Sequence, residues 1–180
     1  EDSKKKLTVW PTVILAHSAS VFLDPIFQSK ISAIKSKKKI KSVGVSVYNE
    51  KEINQILKVR NKPDVIQLPL NILDSKLYRR GVLTRIDNEN IEIHARSVFL
   101  QGLFYLSKTK LEERFKDVIP CLNKLKSISN NIGLSLSELS LLWLFNLKEV
   151  KKIIIGVDNK NQLKNHLKTL KINVDSSVFK

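Results

Sequence analysis

The sequence predicts an α/β protein built on a parallel sheet, and three observations predict it. Short apolar runs alternate with longer amphipathic stretches along the chain, the pattern of successive βαβ units. The short runs are nearly continuous in apolar residues and rich in Val and Ile, as expected of strands covered on both faces. Each run closes on, or opens into, hydrogen-bonding side chains. Polar groups gather in this way where a site forms at the carboxyl ends of parallel strands.

The elements follow in order. Thr12-Val13-Ile14-Leu15-Ala16-His17 is a short buried-strand candidate. Residues 26–39 place Ile26, Phe27, Ile31 and Ile34 at helical spacing. Lys41-Ser42-Val43-Gly44-Val45-Ser46 is a second strand, and residues 50–59 form a helix with Ile53, Ile56 and Leu57 on one face. Asp64-Val65-Ile66-Gln67-Leu68 is a third strand, introduced by the breaker Pro63. Residues 77–87 are helical, against the preference of Gly81. Ile91-Glu92-Ile93-His94-Ala95-Arg96 is a fourth strand. A long helical region covers residues 110–130, interrupted or kinked by Pro120. Ser135 and Glu138 form a capping-box pattern at the start of an apolar helix running through Leu147. Lys152-Ile153-Ile154-Ile155 is a fifth strand ending at Gly156, and residues 161–170 close the pattern as a helix. Two architectures fit this order. Five strands make a doubly wound open sheet, whereas a (β/α)8 barrel needs eight.

Composition bounds the function. Hydrophobic content of 42% and charged content of 27% in 180 residues are those of one folded domain. No apolar run approaches the ~20 residues of a membrane span, and no signal-peptide h-region follows the charged residues 1–6. Cys121 is the single cysteine, so no intrachain disulfide forms; this fits a reducing, cytoplasmic setting. Net charge is +15, but the lysines are spread along the chain. The basic runs, Lys4-Lys5-Lys6 and Lys35-Ser36-Lys37-Lys38-Lys39, are short. Arg clusters interleaved with aromatics, which read or stack on bases, are not seen, so the expectation is no nucleic-acid partner and no membrane.

The strand-end residues are His17, Ser46, Gln67 with Asn71 beyond it, Arg96-Ser97, and Gly156-Val157-Asp158. Each has a structural alternative. A lone strand-end His is often structural, Ser46 can cap the next segment, and Gln67 and Asn71 can satisfy loop backbone. Arg96 can pair with Glu92 or Asp158. Together they point to one polar pocket ringed by strand ends. Cys121 reads as a small core residue, His94 lies inside a strand and His166 on a surface-like helix. These positions and His17 are too scattered for a metal site. No phosphate loop, CxxC, HExxH, GxSxG or GxGxxG motif is present.

Five segments in order resemble the aldo/keto reductase family. Ile14-Leu15-Ala16-His17-Ser18 resembles its fourth barrel strand, which ends in a catalytic histidine. Residues 40–49, IKSVGVSVYN, are similar to the segment through the family's GVSNF motif. Val65-Ile66-Gln67-Leu68-Pro69-Leu70-Asn71 resembles the sixth strand, whose Gln binds the nicotinamide carboxamide. Residues 91–103, IEIHARSVFLQGL, resemble the seventh strand and its loop, closest to a subgroup associated with surface-sugar biosynthesis. GLSLSELSLLW, Ile155-Gly156-Val157 and Gln162-Leu163 are similar to the C-terminal signature.

The resemblance implies a parallel (β/α)8 TIM barrel, here about five of its eight βα units, with residues 1–180 as a single incomplete barrel domain. It implies an NADP- or NAD-dependent oxidoreductase that reduces the carbonyl of a small aldehyde, ketone or sugar. His17 would orient and polarise that carbonyl. Ser46 and Gln67 would hold the carboxamide, and Arg96 would lie against the nicotinamide ring. Ser97, Phe99 and Gln101 would line the pyrophosphate loop. Gly156, Val157, Asp158 and Gln162 would approach the adenosine end.

Several positions depart from the family pattern. Val47 stands where an Asn assists Ser46, and Asn165-His166 where Glu-Asn is common. Val157-Asp158 replace the Lys-Ser of NADP-specific members, where an acid would repel a 2′-phosphate and tolerate a ribose hydroxyl. The family's Asp, Tyr and Lys lie on the first three units, and Tyr48, Tyr78 and Tyr105 lie elsewhere in the pattern. The chain opens Glu1-Asp2-Ser3 and contains no Met, read here as the loss of its natural start. The expectation is an isolated chain that is inactive and either unstable or self-associating through exposed sheet edges. The alternative is a non-catalytic half barrel binding a nucleotide or a partner protein.

Overall fold

The computed structural model describes residues 2–36 and 40–179. The end of the helix expected over 26–39 and the last three residues of the second lysine run lie outside the described residues, as does the side chain of Tyr105. Two compact units divide the chain: Glu1–Pro69 with Leu77–His94, and Leu70–Lys76 with Ala95–Lys180. The strands follow one another in chain order within the sheet, β1 through β5.

The first unit begins with helix α1 (Asp2–Leu7), which the lysine-rich start did not announce, and strand β1 (Val13–Ala16). Helix α2 (Ala19–Leu23) follows, and the Ser18 hydroxyl accepts from the Val21 amide at its start. Helix α3 (Pro25–Ser36) starts where Asp24 accepts from the amides of Ile26 and Phe27. Pro25 in its first turn forfeits only an N–H without an intrahelical partner. Strand β2 (Ser42–Ser46) and helix α4 (Glu50–Ile56) come next, and Asn49 caps α4 by accepting from Glu52 N at 3.0 Å. Strand β3 (Val65–Pro69) pairs parallel with β2, as β2 does with β1.

The helix expected over 77–87 is two pieces, α5 (Lys76–Arg79) and α6 (Val82–Asn88). Gly81 divides them at φ 67°, a left-handed geometry that glycine adopts without a Cβ clash. Strand β4 (Glu92–Arg96) then runs from the first unit into the second. Within the first unit Phe22, Val43, Val45, Ile53, Ile56, Ile66, Leu83 and Ile86 are fully buried. The apolar phases of these strands and helices therefore meet in one core.

In the second unit, helix α7 (Lys108–Arg114) and helix α8 (Ile119–Asn131) stand where a helical region interrupted or kinked by Pro120 was expected, and it is interrupted. A 3₁₀ turn, Lys116–Val118, separates them, and Pro120 sits in the first turn of α8. Proline starts the second helix and does not bend the first, because its missing N–H costs nothing there. Helix α9 (Leu136–Phe145) carries the full capping box: the Ser135 hydroxyl accepts from Glu138 N at 3.3 Å, and Glu138 Oε2 from Ser135 N at 2.8 Å. Strand β5 (Val150–Ile153) begins two residues before the expected run, although Ile154 N still donates to Ala95 O at 2.7 Å. Helix α10 (Lys160–Thr169) is the last α-helix among the described residues, and Asn159 caps it. Leu139, Leu142 and Leu144 are buried, and Leu103, Leu111, Leu122 and Leu136 form a further apolar cluster.

Cys121 is exposed and is not the core residue expected from its helical setting. Its neighbour Leu122 takes the buried face of α8, and adjacent helical positions point about 100° apart. Among the described residues no helix is long and apolar enough to cross a membrane, and no group of His, Cys, Asp and Glu could hold a metal ion.

Candidate functional site

In the first unit, the sheet places three expected site residues at successive strand ends. Ser46 closes β2 and is the register partner of Gln67 on β3; both are half-buried. The Val47 amide donates to Gln67 O at 2.9 Å, fixing that pair. Partners in a parallel ladder project to the same face, so the Ser46 hydroxyl and the Gln67 amide belong to one face of the sheet. His17 follows Ala16, whose partner Val45 directly precedes Ser46. The imidazole is exposed in the bend after β1. Val47 is fully buried, so the position expected to carry a helping amide is part of the core.

Two nearby polar residues satisfy structure. Asn71 is buried in the second unit, and its Oδ1 accepts from Leu73 N at 3.0 Å and Asp74 N at 2.8 Å, the backbone role weighed for it. His94 in the first unit is buried and meets Glu92 Oε2 at 3.1 Å.

The second unit brings seven of the expected residues to one cavity. Arg96 ends β4 half-buried, and its Nη1 donates to Ser97 Oγ at 3.3 Å. Beyond it lies a cavity of about 510 Å³ lined by Ser97, Phe99, Gln101, Gly156, Val157, Asp158 and Gln162, with Gly102 and His166 among its other walls. That volume suits a small-molecule ligand, for which pockets of roughly 300–1,000 Å³ are usual.

One wall is a strained loop. Ser97, Leu100 and Gln101 hold positive φ of 63°, 48° and 53°, and Gly102 follows at 88°. Non-glycine residues in the left-handed region cost on the order of 1–3 kcal/mol each, and such strain concentrates where a ligand is held. The loop is pinned from behind, where the buried Ser140 hydroxyl donates to Val98 O at 3.0 Å. Sequence reasoning passed over Ser140; its signal was one hydroxyl inside the run Leu139-Ser140-Leu141-Leu142.

The opposite wall is the turn from β5 into α10. Asp158 N donates to Gln162 Oε1 at 2.8 Å, and Gln162 Nε2 returns a bond to Asp158 Oδ2 at 3.2 Å. Asn159 Oδ1 accepts from Asn161 N and Gln162 N, both at 3.0 Å. Gly156 faces open space, with nothing within 4 Å of where a Cβ would stand.

His166 was expected on a surface. It is buried, and its ring stacks on Phe99 with centroids 4.8 Å apart and planes 17° apart. Burial removes water from the imidazolium and pushes its pKa below the ordinary 6.5. The ring is therefore neutral at pH 7 and backs the cavity as an aromatic surface.

This cavity offers a hydroxyl, two amides, one carboxylate and an aromatic face, a set able to hydrogen-bond to and stack on a polar small molecule. A sequence model of the aldo/keto reductase family matches residues 19–180, and the chain belongs to that family. The matched span begins just after His17.

Solved structures agree on the fold. The chain superposes on an aldo-keto reductase from Bacillus halodurans in its holo form with a TM-score of 0.81 at 20% identity, covering 99% of this chain and 60% of that one. A thermostable aldo-keto reductase in complex with the inhibitor epalrestat gives 0.73 at 20% identity, covering 99% and 61%. An aldo/keto reductase from Klebsiella pneumoniae in complex with NADP and acetate gives 0.73 at 15% identity, covering 98% and 59%. The chain thus spans about three fifths of the length of these structures, and its sheet with alternating helices is that of a partial (β/α) barrel. No curated protein matches the chain in sequence.

Proposed function

We propose that this chain is the C-terminal portion of an NAD(P)-dependent aldo/keto reductase that reduces the carbonyl of an aldehyde, ketone or sugar to an alcohol, and that its principal contribution is to bind the cofactor. The observation that carries this reading is the cavity of the second unit. Residues 97–101 and 156–162, far apart in the sequence, meet there around one polar and aromatic space.

Ser97, Gln101 and the backbone of the strained loop hold the pyrophosphate. Gly156, Val157, Asp158 and Gln162 hold the adenosine end. Ser46 and Gln67 present a hydroxyl and an amide for the carboxamide, fixing which face of the ring is offered. When bound, the nicotinamide supplies the hydride that reaches the carbonyl carbon. His17 donates a hydrogen bond to the carbonyl oxygen, orienting it and stabilising the negative charge that develops there. The proton that completes the alcohol comes from none of Tyr48, Tyr78 and Tyr105. The first two are exposed, 61% beside α4 and 39% on α5. We assign the tyrosine acid, with its lysine and aspartate, to barrel units outside these 180 residues.

The test is titration of the purified chain with NADH and NADPH, followed by nucleotide fluorescence. Saturable binding of either supports the reading. No binding of either by a chain shown to be folded by circular dichroism overturns it.

A further inference from the structure

The chain carries a net charge of +15, yet among the described residues no Lys or Arg lines the cavity of the second unit. Its one ionised side chain is the carboxylate of Asp158. That carboxylate is held in place: Gln162 binds the Asp158 backbone through Oε1 and the carboxylate through Nε2. The bracket uses Oδ2 and leaves Oδ1 as an acceptor on an exposed residue. An ionised carboxylate only accepts hydrogen bonds, so its natural partner is a hydroxyl donor.

Beside Asp158, the other described sources of positive character are engaged, neutral or turned to another cleft. The first-turn amides of α10, Asn161 N and Gln162 N, are already taken by Asn159 Oδ1. The His166 ring is neutral because it is buried. Lys168 lines the neighbouring cleft with Ser135 and Glu138, not this cavity.

We infer that the pocket selects a dinucleotide whose adenosine ribose is unphosphorylated, with Asp158 as the discriminating residue and Gln162 as the residue that positions it. The inference rests on the reading of this cavity as the adenosine end of the cofactor site. A carboxylate in dinucleotide-binding folds commonly accepts from a ribose 2′-hydroxyl, whereas a 2′-phosphate calls for a cation. A 2′-phosphate brings about −1.5 to −2 charges. Set about 5 Å from Asp158 in a solvated pocket, it is disfavoured by about tenfold in affinity. The surface lysines act in the opposite direction, but salt near 0.15 M screens charges beyond about 8 Å, so the nearest carboxylate dominates.

The full chain is titrated with ADP-ribose and with 2′-phospho-ADP-ribose at about 0.15 M salt, reading dissociation constants by calorimetry and midpoint shifts by thermal melting. These probes lack the nicotinamide and so report on the adenosine end alone. The wild-type chain is expected to bind ADP-ribose about tenfold more tightly, and Asp158→Asn to bring the ratio near one by gaining affinity for the phosphorylated probe. Gln162→Leu, which frees the carboxylate, is expected to narrow the ratio without abolishing binding. Equal or tighter wild-type binding of the phosphorylated probe overturns the inference while leaving the cofactor reading intact. So does an unchanged ratio in Asp158→Asn. Binding of neither probe by the folded chain overturns both.

Discussion

The rings of Phe99 and His166 lie parallel, with centroids 4.8 Å apart and planes 17° apart, and so tie the strained loop after β4 to helix α10. An imidazole buried away from water is disfavoured as a cation, and this desolvation holds its pKa below 6.5.

This contact sets a pH dependence. The folded pKa of His166 is lowered, so the unfolded chain binds the extra proton first as pH falls. Stability from the buried neutral ring is complete above the unfolded value of about 6.5 and is lost as pH drops from there toward the folded pKa. The wild-type chain should therefore lose more melting temperature between about pH 7.5 and pH 5.5 than His166→Phe, which keeps the stack and removes the titration. Asp175 does not confuse the comparison. Hydrogen bonding by Ser177 lowers its pKa from 3.8, and its contribution is lost only below that range. Equal losses in the two proteins would show that the ring is not the titrating element.

The capping box of α9 makes a second prediction. The Ser135 hydroxyl meets one first-turn amide and Glu138 returns a bond to the cap. Ser135→Ala removes the side-chain acceptor and should cost about 1 kcal/mol, or about 2–4 °C in melting temperature for a chain of this size. Ser135→Gly should cost only a few tenths of a kcal/mol, because glycine adopts the cap conformation freely. A denaturant or thermal melt of both variants checks the order; Gly costing more than Ala would count against capping as the cause.

The same box shows what sequence could reveal. Ser135 and Glu138 are three residues apart, so their meeting is a local fact, and the start of α9 was read correctly from them. The five strands were also legible from short apolar runs, although β5 starts two residues before the run that announced it. The strand-end positions Ser46 and Gln67 follow from that pattern, and the register pairs them. Other features were not local. Burial of His166 depends on Phe99, 67 residues earlier in the chain. The exposure of Cys121 depends on the helical phase fixed by Leu122. Helix α2 is five residues long and too short for a periodic signal. The break between α7 and α8 turned on whether Pro120 would bend one helix or begin another, and tertiary packing decides that choice.

Gly44 gives a prediction for the sheet of the first unit. It lies in β2 between Leu15 of β1 and Val65 of β3. A Cβ built there would stand 2.5 Å from Val65 O and 2.8 Å from Val65 Cβ. The Leu15 methyl that such a Cβ would also meet can rotate away, but the Val65 backbone cannot. Gly44→Ala should therefore destabilise by about 1–3 kcal/mol or more, as overpacking does, despite the better intrinsic conformational entropy of alanine. A soluble variant with an unchanged melting temperature would mean that β2 and β3 can separate locally at little cost.

Gly156 is the converse case and tests the site without disturbing the fold. A Cβ there meets nothing within 4 Å, and the residue sits on the wall of the 510 Å³ cavity. Gly156→Phe should place its ring in the space proposed for the adenosine end. It should keep the melting temperature within a few degrees, since surface changes away from packed atoms are usually worth about 0.5 kcal/mol or less. Binding of NADH and NADPH in the fluorescence titration should fall by at least about tenfold, the loss of about 1.4 kcal/mol of contact. Gly156→Ala is the control: one methyl group in open space should leave affinity nearly unchanged. A Phe variant that folds and binds as tightly as wild type would move the nucleotide away from this wall, and with it the roles given to Asp158 and Gln162. Loss of binding in Phe but not in Ala would tie affinity to the volume of this cavity, which a general loss of structure would not do.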